Sequence, residues 1–170
     1  MYIDKSKKIV IKIGSSILVD KKGKPKKTWL KEFVKDIKFL INKKKQIVIV
    51  SSGAIALGCE FLGINKKGLK VDKSQAIASI GQIELMDFYK KIFNKSKIKI
   101  SQILLTLDDT EQRRRSINAR RTIDNLLSMG VVPIVKRLSI VRFAFIDLLL
   151  CSVSSSVSNI WEIFILLLSK

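Results

Sequence analysis

The chain has 170 residues, 47% of them hydrophobic, which suits one domain with a sizeable core. Its 33 lysines and arginines against 14 acids give a net charge of +19, while histidine is absent. That absence excludes Ser-His-Asp and Cys-His catalysis, histidine acid–base chemistry and the usual zinc sites, so any reaction must run on Lys, Arg, Asp, Glu, hydroxyls and backbone dipoles.

Cys59 and Cys151 match no metal spacing and are too few for a disulfide framework. The basic balance invites a nucleic-acid reading, but lysine outnumbers arginine 26 to 7 and is scattered in twos and threes along the chain. Such a distribution describes a solvated surface rather than one binding face, so no nucleic-acid partner is expected. The apolar run that follows Met1–Lys8 is too short for a signal peptide, and a cytoplasmic protein is the expectation.

Along the chain, Lys8–Ile13 is rich in β-branched residues and stops at Gly14, which predicts a buried strand. After a lysine-rich turn, Thr28 is placed to cap a helix carrying Trp29, Phe33, Ile37, Leu40 and Ile41 on one face, with Lys43–Lys45 at its C-terminus. Gln46–Val50 predicts a second strand. The Ser51-Ser52-Gly53 turn after it opens a helix to about Leu62, whose small residues suit close packing on the sheet. A third helix is predicted over about Ser74–Phe93, with Asp72 and Gln75 at capping-box spacing. Ile98–Leu105 reads as a third strand. Asp108 and Glu111 repeat the capping-box spacing before a long helix that ends at Gly130. Val131–Val135 reads as a fourth strand, although Pro133 prefers an edge.

Strands alternating with helices predict an α/β fold, a three-layer α/β/α sandwich with a mainly parallel sheet. Ligands in such sheets bind beyond the carboxyl ends of the strands. Two of those ends carry Gly/Ser turns. At the first, Lys12 precedes Gly14 and Ser15, where backbone N–H groups can cradle an anion and the lysine supplies a point charge. At the second, Ser52 and Gly53 stand before a helix N-terminus, which suits a carboxylate or phosphate. Taken singly, the first pattern is more often just a turn, and the second is equally an ordinary serine helix cap. Asp108 and Asp109 could be mistaken for a metal pair, but helix capping explains Asp108 more simply, so no metal ligand is assigned. Arg113–Arg115 and Arg120–Arg121 on a helix could meet phosphates or RNA, or form a solvated or inter-subunit face.

Five blocks taken together are specific: KIGSS at Lys12–Ser16, SSGAIALG at Ser51–Gly58, QAIASIGQIELMDFY at Gln75–Tyr89, QILLT with RRRSINARRTIDNLL at Gln102–Leu127, and GVVPIV at Gly130–Val135. In order and spacing they resemble the amino acid kinase family, and SSGAIALG in particular resembles its glutamate 5-kinase branch. The resemblance implies ATP-dependent phosphorylation of the side-chain carboxylate of L-glutamate in proline biosynthesis, with ATP and Mg²⁺ as cofactors. It implies that Lys12 meets the ATP phosphates as the catalytic lysine. Gly14 and Ser15 would complete the ATP-binding loop, and Ser52 and Gly53 would hold glutamate. Intact relatives are expected to be homo-oligomers.

The resemblance covers residues 8–135. Where the family continues with an Asn-Glu-Asn-Asp stretch, this chain has Lys136-Arg137-Leu138-Ser139, so the expected substrate aspartate falls on Ser139. Residues 1–135 are therefore expected to form the N-terminal part of the kinase domain, with its C-terminal half truncated or replaced. Residues 136–170 are expected to be a divergent apolar tail, either buried helices or a membrane-associated segment. Asp147 and Ser152–Ser156 interrupt its best window, so no membrane partner is expected. A non-catalytic remnant with a partial glutamate pocket or an oligomer surface is the alternative reading, and a basic nucleic-acid-binding protein the weaker one.

Overall fold

The computed structural model describes residues 6–20, 23–65, 68–106 and 108–137. The reading of residues 138–170 as an apolar tail, and the position of Ser139, lie outside the described residues. Among the described residues no helix is long and apolar enough to cross a membrane.

Four strands, β1 (Lys8–Ile13), β2 (Gln46–Ser51), β3 (Ile100–Leu105) and β4 (Val132–Arg137), form a parallel sheet in the order β1-β2-β4-β3. Helices α1 (Ser15–Leu18) and α2 (Lys27–Asn42) lead from β1 to β2, and α3 (Ala54–Leu62) and α4 (Val71–Lys95) from β2 to β3. Helices α5 (Asp108–Glu111) and α6 (Arg113–Ser128) lead from β3 to β4. Strand alternation sends Ile9, Ile11, Ile13, Ile47 and Ile49 to one face, where α2, α3 and α4 cover them. It sends Val10, Val48 and Val135 to the other, where Ile123 and Leu127 of α6 pack. The expected three-layer α/β/α arrangement is the one observed, with unequal layers. Helices α1 to α4 contribute to the larger cluster on one face, and α6, tied down at the Lys8–Asp124 ion pair of 2.6 Å, packs against the smaller cluster on the second.

Several element boundaries differ from expectation. Helix α2 starts at Lys27 with Lys26 as N-cap and no side-chain cap, so Thr28 lies inside the helix. Its buried stripe of Leu30, Phe33, Val34, Ile37 and Leu40 supplies the stability that the cap does not. Helix α4 begins at Val71, which places Asp72 in its first turn instead of at the cap. The predicted single helix after Asp108 is two helices, broken at Gln112. Asp109 accepts hydrogen bonds from Thr106 N–H (2.8 Å) and Thr106 Oγ1 (2.7 Å), which lower its pKa and close the turn that leads into α5.

Pro133 lies in the interior strand β4, not at an edge. In a parallel ladder successive N–H groups turn to opposite neighbours. Val132 donates to Lys99 on the β3 side, so the donor that Pro133 lacks falls on the β2 side. There pairing starts only at Ile49↔Ile134, one residue later. The missing donor therefore breaks no bond. Strand β4 also runs on through Lys136 and Arg137, past the boundary expected after Val135.

Among the small residues of α3, Ala54 lies in the core that the sheet shares, and Gly58 serves packing against α4. A Cβ on Gly58 would run into the backbone of Ile77, and one on Gly81 into Ala54 O and Gly58 N. Two glycines thus let α3 and α4 cross with their backbones touching.

Candidate active site at the carboxyl ends of β1 and β2

Strands β1 and β2 pair in register from Lys8↔Gln46 to Ile13↔Ser51, so the turns that follow them leave the sheet side by side. Ser52 fastens the second turn to the first strand: its N–H and its hydroxyl both donate to Ile13 O, at 3.1 and 3.0 Å. Gly53 adopts φ +115, a conformation that L side chains rarely take, and a Cβ there would lie 3.4 Å from Leu18 Cδ2 and 3.7 Å from Ser15 Cα. The backbone conformation, not lack of space, is what calls for glycine where the two turns meet.

Gly14 caps α1 in extended conformation (φ −74), so its value is not conformational. A Cβ on Gly14 would meet only Ser16 Oγ, at 4.0 Å, and the space above it is open to a ligand. Across from it, Gly53 caps α3 without any side-chain hydrogen bond. The first N–H groups of that nine-residue helix are left to face the space beyond the strands, where helix termini favour negative charge. Gly14, Ser15, Ser52 and Gly53 thus form one cluster.

Lys12, one residue from the end of β1, is exposed on the face that α6 covers only in part. Lys136 stands at the end of β4, half-buried, and burial lowers its pKa. Sequence reasoning assigned it to the tail; the signal available was its place directly after the apolar run of β4. Among the described residues no group of three or more His, Cys, Asp or Glu could hold a metal ion.

Behind the cluster, Ser51 Oγ and Tyr89 Oη are hydrogen-bonded at 2.9 Å in the buried interior. Burial raises the Tyr89 pKa, partly opposed by the bond to Ser51. Ser51→Ala strands the phenol without its partner and should lower stability by about 1–3 kcal/mol in urea denaturation, more than the double replacement with Tyr89→Phe. The raised pKa sets a sign for pH dependence. The neutral phenol's contribution is complete below the ordinary tyrosine value of about 10 and is lost as pH rises above it, because the unfolded chain ionises first. Tyr89→Phe should flatten that alkaline decline.

A cavity of about 640 Å³ adjoins the cluster through Ser15 and Ser16, on the side of α3 away from α4. Asp20 and Glu60 are its charged lining residues, which disfavours phosphate there.

A parallel α/β/α sandwich thus carries these two turns side by side at the carboxyl ends of β1 and β2. Residues 7–142 match the amino acid kinase family, and the chain belongs to that family. It is similar to the glutamate 5-kinase of Pelagibacter ubique, with 64% identity over 135 residues, 79% of this chain and 37% of that protein. It is also similar to glutamate 5-kinase 1 of Mesorhizobium japonicum, 46% identical over 133 residues, covering 78% of this chain and 35% of that protein. The chain thus spans about a third of the length of the curated relatives it matches. Among solved structures it resembles a carbamate kinase of Giardia, with a TM-score of 0.58 and 11% identity over 86% of this chain and 69% of that one. At such low identity the likeness concerns the fold alone.

Proposed function

We propose that this chain forms the glutamate-binding and phosphate-loop side of a glutamate 5-kinase. The reaction transfers the γ-phosphoryl group of ATP to the side-chain carboxylate of L-glutamate, giving L-glutamyl 5-phosphate and ADP at the start of proline biosynthesis. The observation that carries this reading is the meeting of the Gly14–Ser15 and Ser52–Gly53 turns beside Lys12.

The chemistry suits a chain without histidine. The nucleophile is a carboxylate already ionised at neutral pH, so no general base is needed. What the protein contributes is alignment of two anions and neutralisation of the charge between them. Lys12 acts on the transferring phosphoryl group, with the Gly14 and Ser15 backbone beside it. Ser52 and the N–H groups after Gly53 hold glutamate. Mg²⁺ arrives bound to ATP and supplies charge neutralisation; no described residue is assigned to it. The setting of this reading is a cytoplasmic homo-oligomer, without nucleic acid or membrane.

A second reading is favoured by one observation: Lys136 and Arg137 continue β4 where the family carries Asn-Glu. In that reading the chain keeps a glutamate pocket and transfers nothing. One pair of assays separates the two. Incubation with ATP, glutamate and hydroxylamine should yield glutamyl hydroxamate, and equilibrium dialysis should register bound glutamate. Binding without hydroxamate supports the second reading, and absence of both refutes the two together.

A further inference from the structure

Gln82 of α4 is a buried polar side chain that the proposed reaction leaves unused. It is only 8% exposed, and its Oε1 has no hydrogen-bond partner. A buried amide oxygen without a donor is destabilising, and such groups are rare unless something else satisfies them.

Its place in the fold says what could. Helix α4 runs towards the start of β3, so residues before Tyr89 reach beyond the carboxyl ends of the strands. Tyr89 touches Ser51, the last residue of β2. Gln82 precedes Tyr89 by seven residues, about two helical turns, and therefore shares its stripe roughly 10 Å further along the axis. Its neighbour Gly81 rests on Ala54 O and Gly58 N, which sets Gln82 level with the first turn of α3. Gln82 thus sits on α4 at the level of the N-terminus of α3, the helix that Ser52 and Gly53 open. That N-terminus offers donors only, which suit a carboxylate. An acceptor beside it suits the other charged group of an amino acid, the ammonium.

We propose that Gln82 Oε1 accepts a hydrogen bond from the α-ammonium group of the substrate, and so makes the site selective for an amino dicarboxylate over a plain dicarboxylate. This rests on the glutamate reading above. Asp20 and Glu60 do not compete for the role, because their cavity lies on the opposite side of α3.

Isothermal titration of the full chain with L-glutamate and with glutarate, which lacks the amino group, tests the proposal. The wild-type chain should prefer L-glutamate by about tenfold or more, the worth of one hydrogen bond to a charged group. In Gln82→Leu that preference should collapse, glutarate binding should stay unchanged, and the melting temperature should not fall. Gln82→Met, unbranched and closer in shape, serves if the leucine variant does not fold. A preference retained in the variants, or equal losses for both ligands, overturns the proposal. So does equal binding of the two ligands by the wild type, which leaves the glutamate reading intact. Binding of neither ligand by the wild type overturns the glutamate reading and this proposal with it.

Discussion

Gly81→Ala should cost this fold about 3 kcal/mol or more, a large fraction of the roughly 5–15 kcal/mol by which a domain is typically stable. Two effects oppose each other at this position. Alanine in a helix interior is intrinsically better than glycine by about 1 kcal/mol. Against that, the added methyl would overlap the backbone oxygen of Ala54 and the nitrogen of Gly58, and neither can swing away as a side-chain tip would. The helices would have to separate, which opens the contact among Ala54, Gly58, Ile77 and Gly81 and withdraws α4 from Leu85 to Phe93, its main contribution to the larger core. Steric overlap therefore wins. Gly58→Ala should behave similarly, since its methyl would meet the Ile77 carbonyl. Gly63→Ala is a milder control: it meets nothing within 4 Å and bears only the strain of φ +64. Urea midpoints for the three variants decide the matter. An unchanged or raised midpoint for Gly81→Ala would mean that the helices do not touch as described.

That contact shows where sequence reasoning succeeds and where it stops. The strands β1 and β2 were legible because runs such as KIVIKI and QIVIV are bounded by Gly14 and Ser52, and their burial alternates between the two core clusters as a covered parallel sheet requires. The turns at Gly14–Ser15 and Ser52–Gly53 were legible as residue types, whereas their meeting at Gly53 and Ser15 is seen only in the fold. What could not be read were pairings between distant segments. SSGAIALG shows that small residues are wanted on α3, but not that Gly81 is what they meet. Nothing local couples Ser51 to Tyr89, or leaves Gln82 short of a donor. Capping signals misled for a related reason. Thr28, Asp72 and Asp108 stand where local rules would start a helix, yet α2 and α4 start earlier, at positions without a side-chain cap. A cap is worth about 1 kcal/mol, and the buried stripe of α2 alone contributes several times that. Pro133 misled because edge preference is a statement about N–H donors, and here the ladder begins one residue too late to need one.

Lys12→Ala should reduce glutamate-dependent hydroxamate formation by about a thousandfold, the upper end of what removing one transition-state charge partner costs. Lys12 is exposed on the thinly covered face of the sheet, so the substitution should leave urea stability within about 0.5 kcal/mol of wild type. The loss then cannot be blamed on unfolding. Nor can the other lysines replace it, despite a net charge of +19. A charge further away than about 8–10 Å is largely screened at physiological salt, whereas stabilisation of a transferring phosphoryl group needs a cation in contact with it. The loss should fall on kcat, with the dissociation constant for glutamate unchanged, because the proposed function gives that substrate to Ser52 and the N-terminus of α3 and not to Lys12. Lys12→Arg should recover only part of the rate, since a planar fork places its charge differently from a compact ammonium. Turnover in Lys12→Ala within about threefold of wild type, a barrier change of less than about 1 kcal/mol, would remove Lys12 from the chemistry. A loss that appears in glutamate affinity instead would move Lys12 to the other substrate and reverse the assignment of the two turns.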